Sequence, residues 1–124
     1  MRSETMLPLG KVDPGLREPD TPLDVRTISD GATLVETLGY DGLAVEECKD
    51  DPYQQLALAS ANTTELSLAT SVAMAFPRSP TITAMSAWTL QKVSEGRLIL
   101  GIGSQVRGHI RRRYGMEWSA PAPR

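Results

Sequence analysis

The chain carries one cysteine and one histidine in 124 residues. Cys48 alone makes an internal disulfide impossible, and a reducing cytoplasm is the default location. Cys48 with His109 falls short of the four ligands of a structural zinc site, so no metal centre is expected. Long apolar runs are missing too: none approaches the roughly 18 residues of a membrane span. Residues 1–10 lack the apolar core of a secretory signal, so no membrane partner is expected. Aromatic residues make up only 5% of the chain, and no recognised nucleic-acid-binding pattern accompanies its arginines. What remains is 40% hydrophobic and 23% charged, the balance of a folded soluble domain rather than a disordered one.

The formal net charge of −2 hides an asymmetry. Through Tyr53 there are 12 acidic and 5 basic residues; from Gln54 onward there are 3 acidic and 8 basic. Arg107, Arg111, Arg112, Arg113 and Arg124 carry most of the basic excess. A basic tail can bind phosphate or nucleic acid. Three adjacent arginines near a helix end are better read as a solvated face stabilised by the helix dipole, so no nucleic-acid partner is expected.

A repeated helix start organises the chain. Thr21-Pro22, Asp51-Pro52 and Ser79-Pro80 each set an N-cap residue before proline. The cap oxygen accepts an orphan N–H, and proline at the first helical position loses no needed donor. Ser104 offers a fourth start, and the four lie 30, 28 and 25 residues apart, a length that suits one strand plus one helix. Helices are predicted over 21–38, with Ile28, Ala32, Val35 and Leu38 on one face, over 51–62, over 79–93, with Ile82, Met85 and Leu90 packing, and over 104–114. Strands are predicted over 42–46, 66–72 and 97–102, the last apolar on both faces as a buried parallel strand is. Residues 11–16 are the candidate first strand, although Pro14 counts against it. Residues 1–10 read as an N-terminal extension without regular structure, and 119–124 as a loop. The alternation implies an α/β fold of parallel βα repeats with right-handed crossovers.

In such folds the site lies on the loops after the carboxyl ends of the strands. Three loops qualify here: 46–51, 70–79 and 101–106. The last looks like a dinucleotide fingerprint and fails it, because Val106 stands where the third glycine is needed. The free N–H groups after Ser104 can hold an anionic or carbonyl group, and a plain structural turn explains the glycines equally well. Glu46 and Glu47 are adjacent on a strand, so they point to opposite faces and do not form a paired-carboxylate site. Cys48 lies among acidic neighbours that disfavour its thiolate.

These loops bring a family into view. The pieces are Gly39-Tyr40-Asp41-Gly42-Leu43, Ala69-Thr70-Ser71-Val72, Phe76-Pro77-Arg78-Ser79-Pro80, the run from Gly96 through Val106, and Arg112-Arg113-Tyr114-Gly115-Met116-Glu117-Trp118. In this order and spacing, from about residue 11 to 124, the chain resembles the luciferase-like monooxygenase superfamily, in its branch of coenzyme F-420-dependent oxidoreductases. The resemblance implies a (β/α)8 TIM barrel with a deazaflavin, or alternatively FMN, at the carboxyl ends of its strands. It implies a non-proline cis peptide at Ser71–Val72 behind the cofactor ring, leaving the other ring face for a small organic substrate. It also implies that Glu47 and Cys48 belong to the active-site stretch, and that Gln105, Val106 and His109 match the cofactor-contacting start of the fourth helix, although the place of His109 one turn into that helix fits a surface position equally well. Many relatives carry histidine near the end of the second strand, where this chain has Cys48 and Asp50. Glu47 is then the candidate acid or base.

A complete barrel of this type needs about 250 residues and eight βα units. Here about four are present, so residues 11–124 are expected to be the N-terminal half of the barrel, truncated on the C-terminal side. The loops after the late strands, where the family binds the cofactor phosphate, lie outside this sequence. The expectation is an oxidoreductase fragment lacking the phosphate-binding half. The alternative is a non-catalytic remnant, or a half barrel that pairs with another chain or forms a homo-oligomer through open sheet edges.

Overall fold

The structure is a computed structural model that describes residues 1–6 and 23–120. The candidate strand at 11–16 and the Thr21-Pro22 cap lie outside the described residues. The described elements, in chain order, are β1 (Glu4–Met6), a 3-10 turn (Val25–Thr27), α1 (Ile28–Thr37), β2 (Gly42–Val45), α2 (Pro52–Ala61), β3 (Ser67–Thr70), β4 (Ala73–Met74), α3 (Pro80–Val93), β5 (Leu98–Ile99), β6 (Ile102–Gly103) and α4 (Arg107–Tyr114). β1, β2, β3 and β5 form a parallel sheet in that order, and β4 pairs in parallel with β6 in a separate two-stranded ladder. A parallel sheet with a helix after each strand is the βα repeat the sequence predicts.

Two of the predicted proline starts are seen directly. The Asp51 carboxylate accepts from the Tyr53 and Gln54 amides, and the Ser79 hydroxyl accepts from the Ile82 amide, each with proline at the first helical position. α1 ends as predicted at Gly39, whose φ of 83° lets the Gly39 and Tyr40 amides turn back to the carbonyls of Glu36 and Val35. The core gathers Ile28 and Ala32 of α1, Leu43 and Val45 of β2, Tyr53, Leu56 and Ala59 of α2, Leu66 and Leu68 around β3, and Leu90 of α3.

Several boundaries differ from the sequence reading. The stretch read as an irregular extension supplies β1, in register with β2 through Glu4 opposite Gly42. A strand of three residues carries no visible periodicity, so tertiary pairing decides it. Leu38 lies past the helical turn that Gly39 ends and is exposed, while Val35 packs against the core. On α3 the inward residues are Thr83 and Leu90, and Ile82 and Met85 are exposed. The predicted strand 97–102 is broken into β5 and β6, and its apolar character is not all buried: Ile99 and Ile102 are exposed while Leu98 and Leu100 pack on the core. α4 begins at Arg107 rather than Ser104, because Gln105 has a φ of 57° and Val106 is extended.

The amino-terminal ends of the strands are closed by two charged side chains. Arg97 donates to the carbonyls of Ser60, Thr63, Leu66 and Ser94 and to the Thr63 hydroxyl. Glu36 accepts the Thr64, Glu65 and Leu66 amides, its Oε1 lying 3.0, 2.6 and 2.8 Å from them. Burial pushes the Glu36 carboxyl up, but those three N–H donors and the Arg97 charge outweigh it and hold the group below its ordinary value. A carboxyl with a depressed folded-state pKa contributes stability above its unfolded pKa and loses it as the pH falls through the folded value. Glu36→Gln is therefore expected to cost about 1–2 kcal/mol at pH 7. The gap between wild type and variant should close as the pH is lowered below about 4. Urea unfolding of both chains across that range checks it; a gap that stays constant to pH 3 would contradict the assignment.

Candidate functional site

The other end of the sheet is built differently. β3 ends at Thr70, the Ser71–Val72 peptide is cis, and the chain resumes as β4. Ser71 donates its amide to the Val45 carbonyl at 2.7 Å, the last tie to β2 before the chain changes ladder. From Ala73 on, its partner is β6: the Ala73 and Ala75 amides donate to the carbonyls of Gly101 and Gly103, both at 2.9 Å. Thr70 and Gly101 clasp each other, the Thr70 hydroxyl donating to the Gly101 carbonyl at 2.7 Å and accepting the Gly101 amide at 2.9 Å. The result is a step in the sheet, with Ser71 and Val72 on its exposed lip.

The glycines make that step possible. A Cβ on Gly101 would drive into the Thr70 carbonyl oxygen, and one on Gly103 would lie 2.6 Å from Val72 Cγ2. The two glycines of the failed dinucleotide fingerprint are thus explained by close approach to the neighbouring strand. Val72, Ile102 and Val106 stand 40%, 51% and 60% exposed along this end, an apolar surface of the kind a flat ring system covers. Gln105 holds its left-handed backbone while its side-chain carbonyl accepts the next amide, that of Val106, at 3.0 Å. Val106 caps α4 without a side-chain bond, and His109 is exposed one turn along. Among the described residues no hydrogen bond links Gln105, Val106 or His109 to Ser71 or Val72. These residues therefore share one end of the fold without a hydrogen bond between them.

Behind the step lies a buried charge cluster. Glu47 is 7% exposed. Its Oε2 accepts the Met74 amide at 2.7 Å, and both carboxylate oxygens accept from Arg78 Nη1 at 2.8 Å. Arg78 Nη2 reaches Asp51 at 2.8 Å, and the guanidinium lies 5.0 Å over the Tyr53 ring. Burial alone would depress the Arg78 pKa, but Glu47 and Asp51 outweigh it and raise it. Cys48 is half-buried and its thiol lies 3.5 Å from the Glu46 carboxylate, an acidic setting as the sequence suggests. The Tyr114 hydroxyl is buried without a hydrogen-bond partner; burial pushes its pKa up, as do Glu47 and Cys48, against Arg113 and Arg78.

The sequence singles out Glu47 as a candidate acid or base but not Arg78, the residue that holds it. Arg78 directly precedes the N-cap Ser79 in the 70–79 loop, one of the three loops that the sequence singles out at the carboxyl ends of strands. An apolar groove of about 350 Å³ runs beside the step between Pro80, Thr83 and Ala84 of α3 and Leu100 and Ile102. A larger pocket of about 530 Å³, around Arg2, Glu36 and Asp41, lies at the opposite end of the strands, where barrel folds keep stability rather than chemistry. Among the described residues no cluster of His, Cys, Asp and Glu suits a metal ion, and no helix is long and apolar enough to cross a membrane.

The sequence model for luciferase-like monooxygenases matches residues 6–124. An uncharacterized protein of Mycobacterium tuberculosis is 44% identical over 103 residues, 83% of this chain and 30% of that protein. The 5,10-methylenetetrahydromethanopterin reductase of Methanolobus tindarius is 31% identical over 99 residues, 78% of this chain and 30% of the reductase. In the structure of the coenzyme F-420-dependent tetrahydromethanopterin reductase of Methanopyrus kandleri, a region with 19% identity superposes with a TM-score of 0.72. That match covers 90% of this chain and 29% of the reductase. The chain thus spans about 30% of the length of the relatives it matches, and its parallel βα units have the fold of part of a TIM barrel.

Proposed function

The chain belongs to the luciferase-like monooxygenase family, and from that premise we propose that it forms the ring-binding side of an F-420-dependent oxidoreductase site. The observation that carries the proposal is the step at Ser71–Val72. It is an exposed apolar lip at the carboxyl ends of the strands, held from behind by the Thr70–Gly101 clasp and kept open by Gly103. Val72 and Ser71 would back the ring, and Gln105, Val106 and His109 would contact it from the start of α4. When bound, the deazaflavin supplies the hydride chemistry, and the protein orients the ring and shields one face from water. The open face and the groove lined by Leu100 and Ile102 receive a small, largely apolar organic substrate. A putative coenzyme F-420-dependent oxidoreductase of Mycobacterium tuberculosis, 36% identical over 90 residues, supports the deazaflavin, with FMN as the alternative.

The test is a titration of the nitrogen-15-labelled chain with coenzyme F-420 and, separately, with FMN. Amide shifts are expected at residues 71–75 and 101–109, with a dissociation constant of about 0.1 mM or weaker, since ring contacts alone give modest affinity. Shifts with FMN and none with F-420 would replace the deazaflavin by the flavin. Shifts confined to the opposite end, around Glu36 and Asp41, would overturn the site.

A further inference from the structure

We infer that Glu47 and Arg78 act as positioning residues for the cofactor ring, with Glu47 serving as a fixed hydrogen-bond acceptor rather than as a proton-transfer group. The inference rests on the ring site proposed above. Val72, the residue on the lip, is followed after one residue by Met74, whose amide donates to Glu47. Met74 lies opposite Gly103 in the β4–β6 ladder, so the same bond that fixes Met74 also fixes the strand pair that supports the step. Glu47 thereby ties the end of β2 to β4 at the point where the ladder changes.

The carboxylate has little freedom for other work. Oε2 is shared between the Met74 amide and Arg78, and Oε1 also faces Arg78. With its side chain only 6% exposed, Glu47 is held in place by Arg78, whose Nη1 lies 2.8 Å away. Arg78 is in turn held by Asp51 and the Tyr53 ring face, both on the first turn of α2 or its cap. Two loops at the carboxyl ends of the strands, 46–51 and 70–79, are therefore locked together by one guanidinium, whose planar fork fits this role better than a lysine ammonium.

The role separates cleanly from acid–base chemistry. Glu47→Gln keeps an acceptor for the Met74 amide and cannot exchange a proton at neutral pH, whereas Glu47→Ala loses both. In the coenzyme-free chain, hydrogen exchange at Met74 is expected to speed up at least 100-fold in Glu47→Ala and less than tenfold in Glu47→Gln. Coenzyme F-420 affinity should follow the same order, near wild type for glutamine and at least tenfold weaker for alanine. If Glu47→Ala does not fold, Arg78→Lys carries the test, with faster Met74 exchange and moved amide shifts at 72–75 and 101–103. Unchanged Met74 exchange in these variants, or glutamine as damaging as alanine, would overturn the inference. The expected exchange pattern with no coenzyme-induced shifts in the wild type would instead fail the ring-site reading and leave the positioning of the step standing.

Discussion

Gly101→Ala is expected to lower the unfolding free energy by about 3 kcal/mol, the upper end of the cost of overpacking. The reason is that the added methyl has nowhere to go. It would point at the Thr70 carbonyl oxygen, which is backbone and cannot swing aside as a long side chain would. Moving Gly101 away instead opens the clasp, in which the buried Thr70 hydroxyl gives one hydrogen bond to Gly101 and takes another. It also pulls on the Ala73 amide, which donates to the Gly101 carbonyl. Thermal unfolding should show a fall of roughly 10–15 °C for a domain of this size. Gly108→Ala is the control: its Cβ meets only the far end of the Arg112 side chain, within a helix that alanine favours. That variant should be neutral or slightly more stable. Equal effects of the two substitutions would mean that the step is softer than its contacts indicate.

The contrast between these glycines shows what was legible in the sequence and what was not. Cap-proline pairs at Asp51-Pro52 and Ser79-Pro80 announce helices because their information is local: a side-chain oxygen, a missing N–H and a fixed φ. Gly39 ends α1 for the same kind of reason. The family resemblance located the backbone at Ser71–Val72 and named the loops. The step itself is a tertiary object, made by one strand changing partners, and no periodicity over 66–72 or 97–102 marks the break. β1 was missed for a related cause: three residues pair with β2 because β2 offers a free edge, not because their own pattern demands it. On α3 the periodic reading put Ile82 and Met85 inside, where the sheet takes Thr83 and Leu90. An apolar residue on a helix states a preference for burial, and the position of the neighbouring strand decides whether it is met.

At the site the same division holds. Glu47 could be suspected from its place after β2, but β2 ends at Val45, so the strand alternation expected for Glu46 and Glu47 does not apply to them. The partner of Glu47 is 31 residues away, and a single arginine in a loop has no spacing that betrays its contact. Burial supplies the missing argument only once the coordinates are known. A carboxylate at this depth without a counter-charge would be unstable, so the fold must place a cation there.

That requirement sets the second large effect. Arg78→Met is expected to destabilise the chain by about 3 kcal/mol, because it leaves the buried Glu47 charge with the Met74 amide as its only donor among those bonds. Lost attraction is the smaller part of this cost; the larger part is a desolvated carboxylate with nothing facing it. Removing the charge as well should restore much of the loss. The double variant Glu47→Gln with Arg78→Met presents a neutral amide to Met74 and an apolar side chain of similar length to the groove of Ala75, Pro80 and Leu100. It is expected to lie within about 1 kcal/mol of wild type, since well-packed neutral replacements of buried ion pairs are often close to neutral. Asp51 limits the recovery little, as its side chain is 35% exposed and keeps its capping bonds to Tyr53 and Gln54. Urea unfolding of the three variants closes the cycle. A coupling near zero, with the double variant as unstable as the two losses added together, would show that Arg78 supports the fold through packing on Tyr53 rather than through the charge of Glu47.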